Sequence, residues 1–187
     1  MRIRPFLPKI DGEDKLCVRM TDTETIVTDI LDTQDEKKYT FDYSFWSHDG
    51  YNTLENGYTE PIPGTGYKDQ KYVFEKIGIS VLDNAWKGFH TCLFAYGQTG
   101  SGKSHSMIGY GENKGIVPLA CDEIFRRIAA NTDPDETFEV VASMCEIYNE
   151  KVQDLMIDVK KRPPEGLKVR ESKALGVYVD GLSKHAC

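Results

Sequence analysis

Apolar and polar positions alternate in short runs near the start of the chain, at residues 16–20, 25–30 and 38–43, with Asp, Thr and Gly between them. Such period-two runs predict a small antiparallel lobe. Residues 3–7 read as one further strand. Residues 57–68, rich in Gly, Pro and Tyr, predict a loop. The period then changes. From Tyr72 the apolar residues Val73, Ile77, Val81 and Ala85 recur every four positions, flanked by Phe74, Leu82 and Trp86. That is a helix with one broad buried face, with Asp69 placed to cap its first amides and Gly88 to stop it. Gly78 lies inside it and weakens the pattern. Residues 90–96 are apolar without alternation, as expected of a strand buried on both faces. A second helix is predicted with Pro118 as its first residue and Leu119, Ile124, Phe125 and Ile128 on its apolar side. A strand at 138–144 running towards Ile147, and a hairpin of 167–170 with 177–179 around Ala174-Leu175-Gly176, complete the pattern. Strands alternating with helices predict an α/β layered domain with the antiparallel lobe appended.

Composition narrows the functional class. The chain has 187 residues, enough for one ordinary domain, with 40% hydrophobic and 28% charged residues, a globular balance. Its longest apolar run, Cys92-Leu93-Phe94-Ala95-Tyr96, is far below the roughly 18 residues of a membrane span. The opening Met1-Arg2-Ile3-Arg4-Pro5 has no apolar h-region, so a soluble, intracellular chain is expected. The five cysteines are scattered without a C-x-x-C pair, and the four histidines lack metal-ligand spacing; both predict reduced thiols and no zinc site. Net charge is -7, but residues 158–187 hold seven Lys/Arg against four Asp/Glu. A basic segment on an acidic chain suits either an acidic partner or a solvated hairpin.

One motif carries chemistry. Gly97-Gln98-Thr99-Gly100-Ser101-Gly102-Lys103-Ser104 is a complete G-x-x-x-x-G-K-[ST] phosphate-binding loop, placed between a predicted strand and a helix start. Glycines let the backbone close on phosphates, and successive amides form a nest of donors. The positive end of the following helix adds to the attraction. Lys103 is the candidate for the β- and γ-phosphates and Ser104 for Mg²⁺. The rest of a phosphoryl-transfer site does not appear: no apolar run after the loop ends in Asp, and there is no N-K-x-D guanine reader, which disfavours GTP. No catalytic residue is assigned.

Around this loop the residues resemble kinesin motor domains. Phe94-Ala95-Tyr96-Gly97-Gln98-Thr99 matches that family's F-A-Y-G-Q-T, and Arg2-Ile3-Arg4-Pro5 its R-x-R-P element. Ser143-Met144-Cys145-Glu146-Ile147-Tyr148-Asn149-Glu150, then Val152 and Asp154-Leu155, is similar to its S-Y-x-E-I-Y-N-E-x-V-x-D-L strand. Phe41-Asp42-Tyr43-Ser44-Phe45-Trp46-Ser47-His48 and the final 167–184 stretch point to the kinesin-3 branch. The family's N-x-x-S-S-R-S-H and D-x-x-G-x-E switches do not occur, so the resemblance implies the N-terminal half of a motor domain over residues 1–187, without switches or neck.

The resemblance implies a P-loop NTPase-type layered fold, incomplete here, with ATP and Mg²⁺ as ligands of Gly97, Gln98, Thr99, Gly100, Ser101, Gly102, Lys103 and Ser104. It places Arg4 and Pro5 against the adenine, Arg2 nearby as a weaker candidate, and His105 beside the base unless it is an exposed helix-start histidine. Gly109–Gly115 would be a short form of the loop interrupting the family's second helix. Lys168, Arg170, Lys173 and Lys184 become candidate contacts to acidic tubulin, with Lys160, Lys161 and Arg162 less secure. A cytoplasmic protein on microtubules is implied, with no nucleic acid or membrane contact. Three functions remain open: half of an ATP-driven motor, a phosphate-loop remnant without turnover, or an unrelated P-loop kinase or ATPase. Residues 91–96, lacking a partner strand, are expected to expose backbone groups and an apolar face.

Overall fold

The structure, a computed structural model, describes residues 1–7, 11–12, 15–32 and 35–187. It forms two compact units, Met1–Ala130 and Asn131–Cys187.

In the first unit β1 is Arg2–Ile3, and among the described residues only Ile3 of the expected 3–7 strand lies in a ladder. The antiparallel lobe is present as β2 (Val18–Met20), β3 (Glu24–Thr28) and β4 (Glu36–Thr40), in that spatial order. Its buried edge is polar: Thr25 and Ser44, 1% and 3% exposed, hydrogen-bond to each other at 3.1 Å, which satisfies both hydroxyls. β5 (Phe45–Trp46) pairs in parallel with β1. The expected loop at 57–68 proves to contain a strand. β6 (Tyr51–Thr53) and β7 (Thr59–Pro61) make a hairpin whose turn is closed by Gly57 N–H donating to Leu54 O at 2.9 Å.

The predicted first helix begins at its predicted cap, where Asp69 accepts from Tyr72 N–H at 2.8 Å. It runs as α1 (Gln70–Val73), a π-helical turn (Phe74–Gly78) and α2 (Ile79–Trp86). Gly78 is the cause of the wider turn that sequence could give: the Phe74 ring lies 2.2 Å from where a Cβ on residue 78 would stand. A side chain there would evict a ring that belongs to the core. α3 (Lys103–Met107) follows the phosphate loop. β8 (Gly109–Tyr110) and β9 (Asn113–Lys114) form a small hairpin, and α4 (Ile116–Ala130) closes the unit. α4 starts before Pro118, which therefore sits within the first turn, where a missing N–H leaves no helical bond unmade. Phe45, Val73, Phe74, Leu82 and Ile116 form the buried core, with Met107, Leu119 and Ile124 packed against it. Full burial of side chains of this size contributes about 1.5–3 kcal/mol each.

The strand expected at residues 90–96 is not formed. Among the described residues no ladder includes it, and Phe94 and Tyr96 are 79% and 95% exposed. A strand has no internal hydrogen bonds, so without a lateral partner it has nothing to hold it extended and buried.

In the second unit, β10 (Val141–Ala142) pairs with the later β15 (His185–Ala186), and β11 (Cys145–Tyr148) with β12 (Lys151–Asp154). The strand expected across 138–147 is thus broken into two. Asn149 and Glu150, with φ of 48° and 61°, form the two-residue turn between β11 and β12; both left-handed positions match the twist of the hairpin. A 3₁₀ turn (Val159–Lys161) is capped by Asp158. β13 (Lys168–Ser172) and β14 (Gly176–Asp180) form the predicted hairpin. The five cysteines are free thiols.

Asp154 is the buried anchor of this unit, 1% exposed. Its carboxylate accepts from the N–H groups of Ser183 and Met156, each at 2.8 Å. The Ser183 side chain, then these backbone donors, hold its pKa below the ordinary 3.8 against the opposing effect of burial. A lowered folded pKa means the stabilisation is complete above 3.8 and is lost as pH falls through the lower folded value. The amide of Ser183 is therefore expected to keep its hydrogen-exchange protection factor down to 3.8 and lose it below. Asp154→Asn should abolish that pH dependence, and a protection factor flat with pH in the wild type would refute the anchoring role.

Candidate functional site

Residues 97–104 form a turn whose shape depends on missing side chains. A Cβ on Gly97 would stand 2.6 Å from the Ser101 hydroxyl, and Gly102, at φ 95°, turns the chain into α3. Only glycine adopts that left-handed geometry at little cost. Ser101 N–H closes the turn on Gln98 O at 3.1 Å. The Lys103 ammonium folds back over it and donates to the carbonyls of Gly97 and Gln98, both at 2.8 Å. A phosphate oxygen would take over these donors.

Beside the loop is a cavity of about 560 Å³. Thr99, Gly100, Ser101, Gly102, Lys103, Ser104 and His105 line it, as do Arg2, Arg4 and Pro5, 94 or more positions earlier in sequence from the loop's Thr99. Gly97 and Gln98 lie outside this lining and instead receive the Lys103 ammonium. The structure thus brings the phosphate loop and the N-terminal basic element to one cavity, where the resemblance had placed them.

Each basic side chain is positioned differently. Arg4 makes a two-pronged pair with Asp11 at 2.6 and 2.7 Å and also donates to Pro5 O. This pair, with the Leu7 N–H, holds the Asp11 carboxyl down to about 2. Arg2 reaches inward. Its Nε donates to Ser47 Oγ at 3.1 Å, and one terminal nitrogen donates to Gln70 Oε1 and Ser106 Oγ at 2.5 and 3.0 Å. Burial pulls its pKa down, partly opposed by Tyr67 and Asp69. Arg2 is a cross-link between segments as much as a cavity wall.

His105 is half-buried in the cavity lining, 6.1 Å from the Tyr110 ring. The alternative of a fully exposed helix-start histidine is not what the structure shows. Burial, then the charge of Arg2, lowers its pKa below 6.5. Its ring is therefore mainly uncharged at neutral pH and suited to stacking. Sequence reasoning missed Ser47, Tyr51, Thr59, Tyr67 and Tyr110, which share the cavity. The rings of Tyr51 and Tyr67 lie 4.9 Å apart. The concentration of tyrosines around 51–67 was the available signal, read there only as loop composition.

For a metal, the donor at hand is the Ser104 hydroxyl, at the exposed start of α3. Among the described residues no group of three or more His, Cys, Asp or Glu could hold an ion. This set suits a magnesium ion that takes its remaining ligands from phosphate oxygens and water.

In the second unit Lys168, Lys173 and Lys184 are exposed. Arg170 is exposed too but donates to Asp180 at 2.7 Å across the hairpin. Lys160 and Lys161 are exposed, while Arg162 donates to Ile157 O.

Known proteins are similar to this chain in sequence and in fold. Kinesin-like protein KIF28 of Rattus norvegicus is 43% identical over 189 residues, covering all of this chain and 18% of that protein. Kinesin-like protein KIF13A of Mus musculus is 41% identical over 193 residues, covering all of this chain and 10% of that protein. Among solved structures, KIF14 with ADP in complex with a microtubule superposes with a TM-score of 0.82 at 34% identity, over all of this chain and 49% of that one. A two-heads-bound KIF14 dimer with AMP-PNP in complex with a microtubule gives 0.84 at 33% identity, over all of this chain and 48% of that one. The chain spans about half the length of these solved chains, and within that span it follows their α/β layered fold. The kinesin motor domain family model matches residues 2–187, and the chain belongs to that family.

Proposed function

We propose that residues 1–187 are the N-terminal, ATP-binding part of a kinesin motor domain that couples ATP hydrolysis to movement along microtubules in the cytoplasm. The observation that carries this reading is the single cavity shared by the phosphate loop and the Arg2–Pro5 element, 560 Å³ in volume. Its wall of backbone amides and glycines accommodates a triphosphate. Lys103 exchanges two carbonyls for phosphate oxygens. His105, Arg4 and Pro5 form the side on which a base would rest. The Ser104 hydroxyl would hold Mg²⁺, which when bound neutralises phosphate charge. No residue of this chain is assigned to water activation, and the nearest statement of its role is binding and orienting.

Lys168, Lys173 and Lys184 are the proposed microtubule contacts. Arg170 ranks below them because its charge is already partnered by Asp180. Each exposed pair contributes about 0–1 kcal/mol and is screened by salt.

Phosphate release from ATP by the whole protein to which these residues belong, measured with and without microtubules, tests the proposal. Turnover that rises with microtubules is the expected result. ATP binding without turnover leaves a phosphate-loop remnant, and absence of ATP binding overturns the assignment. In the same assay Lys168→Glu with Lys173→Glu should raise the microtubule concentration needed for half-maximal stimulation about 3–10-fold at low salt. Arg170→Gln should change it less. An effect of Arg170→Gln as large as that of the double variant would show a diffuse charge rather than these contacts.

A further inference from the structure

We propose that Gln70 is a positioning residue for the base side of the nucleotide site, an assignment that rests on the nucleotide reading above. Gln70 is 3% exposed and uses both ends of its amide. Oε1 accepts from the Arg2 guanidinium at 2.5 Å. Nε2 donates to the carbonyl of His105 at 2.5 Å and to that of Asn113 at 3.2 Å. Segments 68, 35 and 43 positions away converge on one side chain.

The chemistry of these partners dictates the residue. Arginine only donates and carbonyls only accept, so the amide has one permitted orientation. Its two N–H bonds are both committed to carbonyls. Glutamate would keep the acceptor for Arg2 but turn an anion on two carbonyl oxygens. Lysine would face Arg2 with a second cation. A neutral carboxamide is the group that serves all three partners.

Gln70 does not line the cavity; it acts through residues that do. Arg2 continues to Ser106 Oγ at 3.0 Å, so the amide holds the His105 carbonyl while the guanidinium holds the side chain of the next residue. Asn113, held by Gln70 at its carbonyl, uses its own side chain to accept from Thr59 N–H at 2.9 Å and to donate to Gly57 O at 2.8 Å. Thr59 is a cavity residue as well. The bracing therefore reaches the cavity wall by two routes, through Arg2 with His105 on the base side and through Asn113 with Thr59. The turn at Gly97–Lys103 is instead held by its own bonds, from Ser101 to Gln98 and from Lys103 to Gly97 and Gln98. Loss of the amide should then impair recognition of the base and leave the phosphates largely unaffected.

Gln70→Met removes every hydrogen bond at nearly constant volume, and Gln70→Glu keeps the acceptor for Arg2 but replaces both donors by a charged oxygen facing the two carbonyls. Affinities of ADP and of inorganic tripolyphosphate, measured by displacement of a fluorescent nucleotide, separate base from phosphate. Both variants are expected to bind ADP about tenfold more weakly and tripolyphosphate within about twofold of wild type. A loss of the same factor for both ligands, in whichever variant remains folded, would show a merely structural role and overturn the proposal. So would unchanged ADP affinity. A wild-type protein that binds neither ligand would overturn the nucleotide reading itself, and this assignment with it.

Discussion

Replacing Lys103 with Ala is expected to weaken ATP binding about 100-fold while leaving the fold in place. The ammonium rests on the carbonyls of Gly97 and Gln98 at 2.8 Å. Hydrogen bonds to charged partners contribute about 1.5–3 kcal/mol each, and every 1.4 kcal/mol is tenfold in affinity. Two such bonds to phosphate oxygens, partly offset by giving up two neutral ones, lead to the expected factor. The carbonyls left behind are near solvent and find water, so stability should change little. Lys103→Arg keeps the charge but replaces a compact point donor by a planar fork, and should fall between. Calorimetric titration of ATP into the three proteins measures the series. Equal affinities across it would remove the phosphate-loop assignment.

Gly109→Ala should be among the most destabilising single substitutions in the first unit, by about 2–6 kcal/mol. Gly109 has φ 77°, and a Cβ there would stand 2.0 Å from the Asn113 carbonyl oxygen and 2.5 Å from the Gly115 nitrogen. Both are backbone atoms, so no side chain can swing aside. Strain of this kind costs about 1–3 kcal/mol and overpacking a similar amount. Gly111, two residues on, has φ 53° with nothing within 4 Å of its Cβ direction, so Gly111→Ala carries the strain without the collision. Denaturant midpoints of the pair separate the two causes. A Gly109→Ala midpoint no lower than that of Gly111→Ala would show that the hairpin opens without cost. Because Gln70 donates to the Asn113 carbonyl, Gly109→Ala should weaken nucleotide binding as well.

What could be read from the residues alone was mostly local. The Asp69 cap, the helical period from Tyr72, the lobe strands and the 168–180 hairpin all depend on neighbours within a few positions, and each was found close to its expected place. The phosphate loop was legible for the same reason, since its eight residues carry the motif by themselves. Elements that depend on distant partners were misread. Residues 90–96 have the composition of a central strand but lack a ladder, and the 138–147 strand divides because β10 and β11 pair with different segments. The tyrosines at 51 and 67 give no periodic signal, and only the fold brings them to the cavity. Gln70 gives no local signal of its role, because its amide is spent entirely on tertiary partners.

The reach of Arg2 has a consequence for synthesis. Its hydrogen-bond partners Ser47, Gln70 and Ser106 follow it by 45, 68 and 104 residues. At roughly 5–20 residues per second, about 5–20 s separate the emergence of Arg2 from that of Ser106. The first strand can meet β5 early in that interval, but its guanidinium must wait in water for the last of its acceptors. Slowing the ribosome between Gln70 and Ser106 would therefore prolong a half-assembled state open to chaperones, without altering one contact of the finished protein.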